Sequence, residues 1–314
     1  MSVKTTTGAP AEERIACGVA GWSYDDWRDT VYRVPCGLRQ PSLFGAVKPE
    51  PQPVHYPDDE LRFLAQFVDM IEINSSFYRI PSTRTVASWS ERVRDIPRFF
   101  FTAKLNRVFT HKYEFDSKLA GTYRQAFVPL REAGLLRGIL AQFRYDFSDT
   151  AESRALITWI QRQLGGFAPL VVEVRHKSWE GEGAVSFFRD LGVDVACLDY
   201  PTARDSFDPS GLIAGRRGYL RLHGRNRQAW FSKDVPVHET YNYDYSDDEI
   251  RGLAVRGREL LEKVPQLTIV ANNHYQGKAV SAALRLKAEL LERKVPVPPA
   301  LLSTYPGLTR VASE

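Results

Sequence analysis

Eight stretches of this chain turn polar or charged at their C-terminal end, and the residues gathered there are equipped for chemistry. Glu72, Glu173 and Asp199 supply carboxylates, Lys104, Arg175 and Arg221 supply cations, His176 and His223 supply imidazoles, and Asn74, Gln142, Asn272 and Asn273 supply amides. This near balance of sign is informative. Opposite charges a few ångströms apart keep each other ionised and hold an Arg or Lys ready for an anion, while a crowded carboxylate can be raised into general-acid range. The chemistry predicted is acid–base catalysis on a small polar, anionic substrate, phosphorylated or sugar-like. Glu72 and Glu173 are the expected acid and base, Lys104 and Arg221 the electrostatic stabilisers, and His176 or His223 the proton shuttle, with Asp199 completing the set. Trp22, Tyr78 and Trp179 stand beside strand ends, where their rings could stack on a sugar or a base. With Asn74, Gln142, Arg175, Arg221, Arg225, Asn272 and Asn273 they form the expected binding set.

Other readings stay open. The strand-end charges could be internal ion pairs, Glu173 with Arg175 for example, that only satisfy one another. Desolvating charges on five runs at one end costs several kcal/mol per ion, which favours a site. Metal-assisted phosphoester cleavage could draw ligands from Glu72, Glu173, Asp199, His176 and His223. Three cations in the same mouth oppose it, and the six histidines include no H-x-x-x-H or H-E-x-x-H. The sequence therefore requires no cofactor, assigns no metal ligand and leaves room for a divalent metal. A glycosidase is less attractive, because the common barrel glycosidases carry carboxylates after strands four and seven, where Gln142 and Arg221-Leu222-His223 stand. Lys104 as a Schiff-base nucleophile is chemically open but not preferred. A non-catalytic metabolite- or partner-binding protein is the third class.

The elements that must position these residues are strands read at 15–23, 70–76, 99–106, 138–143, 170–176, 193–200, 218–225 and 267–274. Side chains alternate faces along a strand, so Ile71 and Ile73 oppose Glu72 and Asn74, Val172 and Val174 oppose Glu173 and Arg175, and Leu220 and Leu222 oppose Arg221 and His223. Lys104, Gln142 and Asp199 are read at equivalent depths of the third, fourth and sixth runs. Helical patterns lie between them at about 58–69, 83–94, 116–135, 150–164, 181–191, 246–263 and 276–293, with Asp58, Ser82, Asp116 and Ser246 as expected caps. Alternation of strand and helix means a parallel sheet, and eight strands with no G-x-G-x-x-G after the first favour closure. The expected fold is a single (β/α)8 TIM-type barrel over 15–293, with a disordered tail at 1–14 and a C-terminal tail at 294–314.

Long segments follow the first and seventh strands. Residues 24–57 carry Pro35, Pro41, Pro49, Pro51, Pro53 and Pro57, and residues 224–245 carry Trp230, Tyr241, Tyr243 and Tyr245; both are expected to wall or cover the mouth. The loops after strands seven and eight, with Arg225, Arg227 and Lys278, are candidates for a phosphate site, although they read equally well as solvated charges and turns. A net charge of +4 permits a nucleic acid without demanding one, so a small polar or phosphorylated ligand is the expected partner. No apolar run approaches the ~20 residues that span a bilayer, and no apolar signal core opens the chain, so a cytoplasmic location without membrane association is expected. Cys17 and Cys197 fall in strands and read as small core residues; Cys36 falls in a loop.

GWSYDDW (21–27), VDMIEINSSFYRIPS (68–82), FFFTAKLNRVFTH (99–111), LAQF (140–143), VVEVRHKSW (171–179), YLRLHGR (219–225) and VANN (270–273) together resemble the domain of unknown function 72, or YecE-like, family over about residues 15–293. The resemblance implies a single α/β barrel with a pocket at its mouth and implies no activity. It maps family-like positions onto Trp22, Glu72, Asn74, Tyr78, Lys104, Gln142, Glu173, Arg175, His176, Trp179, Asp199, Arg221, His223, Asn272 and Asn273. A likeness in barrel plan to endonuclease IV-type proteins is more distant. The chain departs from the family at Arg144-Tyr145-Asp146 and in the insert at 35–57.

Overall fold

The computed structural model describes residues 10–35, 54–207, 213–232 and 234–313. Cys36 and most of the proline-rich insert lie outside the described residues. Eight parallel strands close into a barrel in sequential order: β1 (Ile15–Ala20), β2 (Met70–Ile73), β3 (Phe100–Lys104), β4 (Leu136–Gln142), β5 (Leu170–Glu173), β6 (Asp194–Asp199), β7 (Gly218–Leu222) and β8 (Leu267–Ala271). Closure rests on β1 pairing with both β2 and β8, Ala20 opposite Glu72 and Val19 opposite Ala271.

The two-residue period sorts each strand into an inner and an outer face. Met70, Phe100, Leu140, Val171, Ala196, Tyr219 and Val270 pack inside the barrel, while Ile71, Ile73, Val172, Leu220 and Ile269 pack under the helices. One step further along the inner faces come Glu72, Thr102, Gln142, Glu173 and Arg221, all with less than a tenth of their surface exposed. The expected inward polar layer is therefore present at the C-terminal end of the strands.

Among the described residues, seven helices cover the barrel: α1 (Glu60–Leu64), α2 (Thr83–Val93), α3 (Ser117–Glu132), α4 (Ala151–Leu164), α5 (Glu182–Leu191), α6 (Asp247–Lys263) and α7 (Lys278–Leu291). Among the described residues none follows β6, in keeping with the missing helical pattern there. Ser82, Asp116 and Ser246 cap their helices as expected, Ser246 reciprocally with Glu249. The cap of α1 is Asp59 rather than Asp58, because Asp59 Oδ1 is the acceptor that reaches Arg62 N–H at 2.9 Å.

Both termini add to the barrel. Ala11–Arg14 form a helical turn before β1. Residues 294–314, read from the sequence as a tail, include a helix at Pro299–Thr304 and a 3-10 turn at Pro306–Arg310, with Leu301 and Leu308 fully buried. Tyr305 OH donates to Gln276 O at 2.7 Å, which ties this segment to the chain leaving β8. Among the described residues, no helix is long and apolar enough to cross a membrane.

Candidate active site

The polar layer is built around Arg221. This residue has no solvent exposure, and its guanidinium donates through Nη2 to Glu72 Oε1 at 2.6 Å and through Nη1 to Glu173 Oε2 and to Gln142 Oε1 at 3.0 Å. Glu72 Oε2 accepts from Tyr219 OH at 2.9 Å, which also meets Thr102 Oγ1 at 2.9 Å and closes the floor beneath. Glu173 Oε1 accepts from Arg175 Nε at 2.9 Å and Nη2 at 2.7 Å. Burial alone would raise the Glu173 carboxyl; the Arg221 and Arg175 guanidiniums, with His223, outweigh it and hold the group well below the usual carboxylate range. Glu173 is therefore an ionised anchor at neutral pH.

His223 lies against this cluster, with Nε2 3.3 Å from Arg221 Nη1 and 3.4 Å from both Arg175 Nη2 and Glu173 Oε1. Its Nδ1 is 3.1 Å from Asn272 Nδ2. Burial is the main reason its pKa falls to about 3, so the imidazole is neutral.

Above the cluster opens a cavity of about 350 Å³, lined by Gly21, Trp22 and Tyr24 after β1, Asn74 and Tyr78 after β2, Lys104 at the end of β3, Tyr241 in the long segment after β7, and Asn272 and His274 after β8. Gly21 takes φ +81° to turn the chain at the rim, where a Cβ would lie 2.5 Å from the Tyr24 hydroxyl. Two aromatic contacts close one side: His274 stacks on Tyr24 with ring centres 4.6 Å apart, and Tyr241 packs on His274 at 5.0 Å. Tyr24 after the first strand and Tyr241 after the seventh thus both pack on His274 at the mouth.

Lys104 differs from the other strand-end charges. Its Nζ lies 4.2 Å from the centre of the Phe77 ring, and among the described residues no carboxylate is within ion-pair distance. Burial, and next the Arg221 charge, lower its pKa to about 7, against the partial opposition of Glu72 and Glu173. A neutral amine is therefore accessible to Lys104 near neutral pH.

The family described as "Protein of unknown function DUF72" matches residues 16–304. This chain belongs to the DUF72 family. A DUF72 protein of Thermotoga maritima superposes with a TM-score of 0.70 at 25% identity over 88% of this chain and 99% of its own. One of Enterococcus faecalis has the same fold, with a TM-score of 0.71 at 19% identity over 90% and 98% of the two chains. No curated protein matches the chain.

In this DUF72 barrel the sequence-predicted residues fall into three groups. Trp22, Asn74, Tyr78, Lys104 and Asn272 line the cavity, and Glu72, Gln142, Glu173, Arg175, Arg221 and His223 form the cluster beneath it. Asp199 corrects the expected depth: with Cys197 it faces outward, because Ala196, Leu198 and Tyr200 take the inner positions of β6. There it accepts from Arg225 Nη2 and from Tyr245 OH, each at 2.7 Å, while Arg225 also reaches Glu249 Oε1 at 3.0 Å. Asn273 is buried beside the mouth and donates to Tyr243 O at 2.9 Å. His176 caps the turn at Lys177–Glu180, and Trp179 is fully buried between β-barrel and helix, donating to Phe147 O at 2.7 Å and packing on Phe188. Neither lines the cavity.

The expected phosphate loops are occupied by the protein's own groups. Arg225 is paired as above, Arg227 Nη1 donates to Thr202 O, Lys278 Nζ donates to Asn242 Oδ1, and Gln276 N–H is taken by the Asp26 carboxylate. Among the described residues no three His, Cys, Asp or Glu side chains converge as a metal site. Both Glu173 oxygens and Glu72 Oε1 face guanidiniums instead, and Glu72 Oε2 accepts from Tyr219 OH. Tyr241 lines the cavity from the segment expected to wall the mouth, whereas Tyr24 and His274 line it without having been expected as ligand contacts; Tyr24 sits inside the 21–27 motif, three residues after a turn glycine at a strand end, which is the signal that could have found it.

Proposed function

We propose that this DUF72 protein is an enzyme that transfers a proton to or from a small polar, anionic metabolite in the mouth cavity, with Lys104 as the proton-transferring group. The observation that carries the reading is the contrast at the strand ends. Glu72, Glu173, Arg175, Arg221 and Asp199 are all engaged in ion pairs, whereas Lys104 faces the cavity with the Phe77 ring against its ammonium and, among the described residues, no ion-pair partner. A lysine near neutrality can both give and take a proton at working pH, where such a group is most effective. Glu72 and Glu173 act in this reading as the fixed charges that hold Arg221, and His223 as a neutral hydrogen-bonding group. Asn74, Asn272 and the Tyr24 and Tyr241 hydroxyls read the polar groups of the ligand, for which a cavity of about 350 Å³ is of suitable size.

The test is a screen of sugar phosphates, sugar acids and keto acids for turnover, followed by Lys104→Gln on any substrate found. Turnover should fall at least about a hundredfold and the wild-type rate should bend near pH 7. A substrate turned over equally well by Lys104→Gln removes Lys104 from the reaction.

A further inference from the structure

We propose that Lys104 acts as a nucleophile, forming an imine with the carbonyl carbon of a small aldehyde or ketone held in the mouth cavity. This deepens the reading of the same site and rests on it. Among the described residues no carboxylate reaches its Nζ, the Phe77 ring packs on one side, and the two neighbouring carboxylates that could stabilise its charge are already held by Arg221 and Arg175. Desolvation beside another cation is the environment that turns lysine into an amine nucleophile. Burial and Arg221 depress its proton affinity in the same direction.

The surroundings suit the step. The neutral amine adds its lone pair to the carbonyl carbon, the C=O pair moves to oxygen, and a proton passes from nitrogen to that oxygen to give the carbinolamine. Loss of the hydroxyl with one further proton releases water and leaves the protonated imine; no oxidant or reductant enters. Asn74 Oδ1 is buried at the cavity wall with no hydrogen-bond partner among the described residues, an acceptor available to the carbinolamine hydroxyl or the leaving water. The Tyr24 hydroxyl donates its proton to Ala20 O at 2.7 Å and so presents its oxygen at the same wall as an acceptor.

The experiment incubates the full chain separately with pyruvate, glyoxylate and dihydroxyacetone phosphate, with and without borohydride, and maps adducts by peptide mass spectrometry. At least one probe should add its mass less one oxygen to the Lys104 peptide, only after reduction, and about tenfold above any other lysine. Lys104→Arg, which keeps the charge, should lose the adduct. In parallel, acetic anhydride labelling of the probe-free protein across pH 5–11 follows the neutral amine directly. Labelling of Lys104 with a midpoint near neutrality but no trapped adduct overturns the imine and leaves proton transfer standing. Labelling only at the pH of surface lysines overturns both, and adducts spread evenly over lysines count against the imine.

Discussion

Replacing Lys104 by methionine should stabilise the protein in acid and neutral solution, which few substitutions at a polar cavity would do. Folding lowers the proton affinity of this lysine from an ordinary 10.5 to about 7. Each tenfold change is ~1.4 kcal/mol, so the charged form is disfavoured in the fold by up to about 5 kcal/mol. Cavity water relaxes part of that, and the variant forfeits the ammonium–Phe77 contact, which contributes about 1 kcal/mol. A net gain of about 1–3 kcal/mol remains for Lys104→Met at pH 6. The sign follows from linkage: between pH 7 and 10.5 the unfolded chain binds the extra proton, so wild-type stability rises with pH through that window while the variant lacks this rise. The gain should therefore shrink steadily from pH 7 towards pH 10. Urea unfolding of both proteins at pH 6, 8 and 9.5 measures it. A variant less stable than wild type at pH 6, or a difference that does not change with pH, would falsify the account of Lys104 as a half-buried amine without an ion-pair partner among the described residues.

Arg221→Met removes the cation shared by Glu72 and Glu173, and should cost about 3–5 kcal/mol at pH 7 because two buried carboxylates lose a partner. The depressed Glu173 contributes stability to the wild type above the ordinary carboxyl value of 4.5 and loses it as pH falls below that value, so the deficit of Arg221→Met should narrow progressively below pH 4.5; a deficit that stays as large there as at pH 7, in denaturant titrations, counts against the cluster as described. Gly21→Ala forces a Cβ against Tyr24 at positive φ and should lower stability by about 1–3 kcal/mol, read as a fall in Tm; an unchanged Tm means the rim turn is not constrained as it stands. Trp179→Phe should cost about 1–2 kcal/mol through lost packing and leave the trapping of carbonyl probes at Lys104 intact, whereas loss of trapping in a folded variant would return Trp179 to the site.

Much of the barrel was legible because its signals are local. Val172-Glu173-Val174-Arg175 declares a strand with one apolar and one charged face, whatever it pairs with, and the same holds for Ile71-Glu72-Ile73 and Leu220-Arg221-Leu222. Caps such as Ser246 with Glu249 are equally local. The sixth run is where this reading failed, since VDVACLDY is apolar on both faces and nothing near Asp199 says which side is inward. Trp179 failed for a related reason: a tryptophan six residues past the end of its strand can turn to the cavity or fold back under a helix, and the choice is made by Phe147 and Phe188, which are distant in sequence or on another element.

The sequence by itself determined that eight polar strand ends meet at one mouth, because period-two alternation and the order of strands and helices are properties of short segments. Only the tertiary structure decided which charges neutralise which. Arg221 reaches Glu173 across 48 residues of chain and Glu72 across 149. Those partners are fixed by the stagger of strands around the closed barrel, which sets who faces whom across the lumen and is written in no local pattern. That same closure packs Lys104 against Phe77 with no carboxylate in reach among the described residues, which sets it apart from the other strand-end cations and is why the proposed chemistry is placed on it.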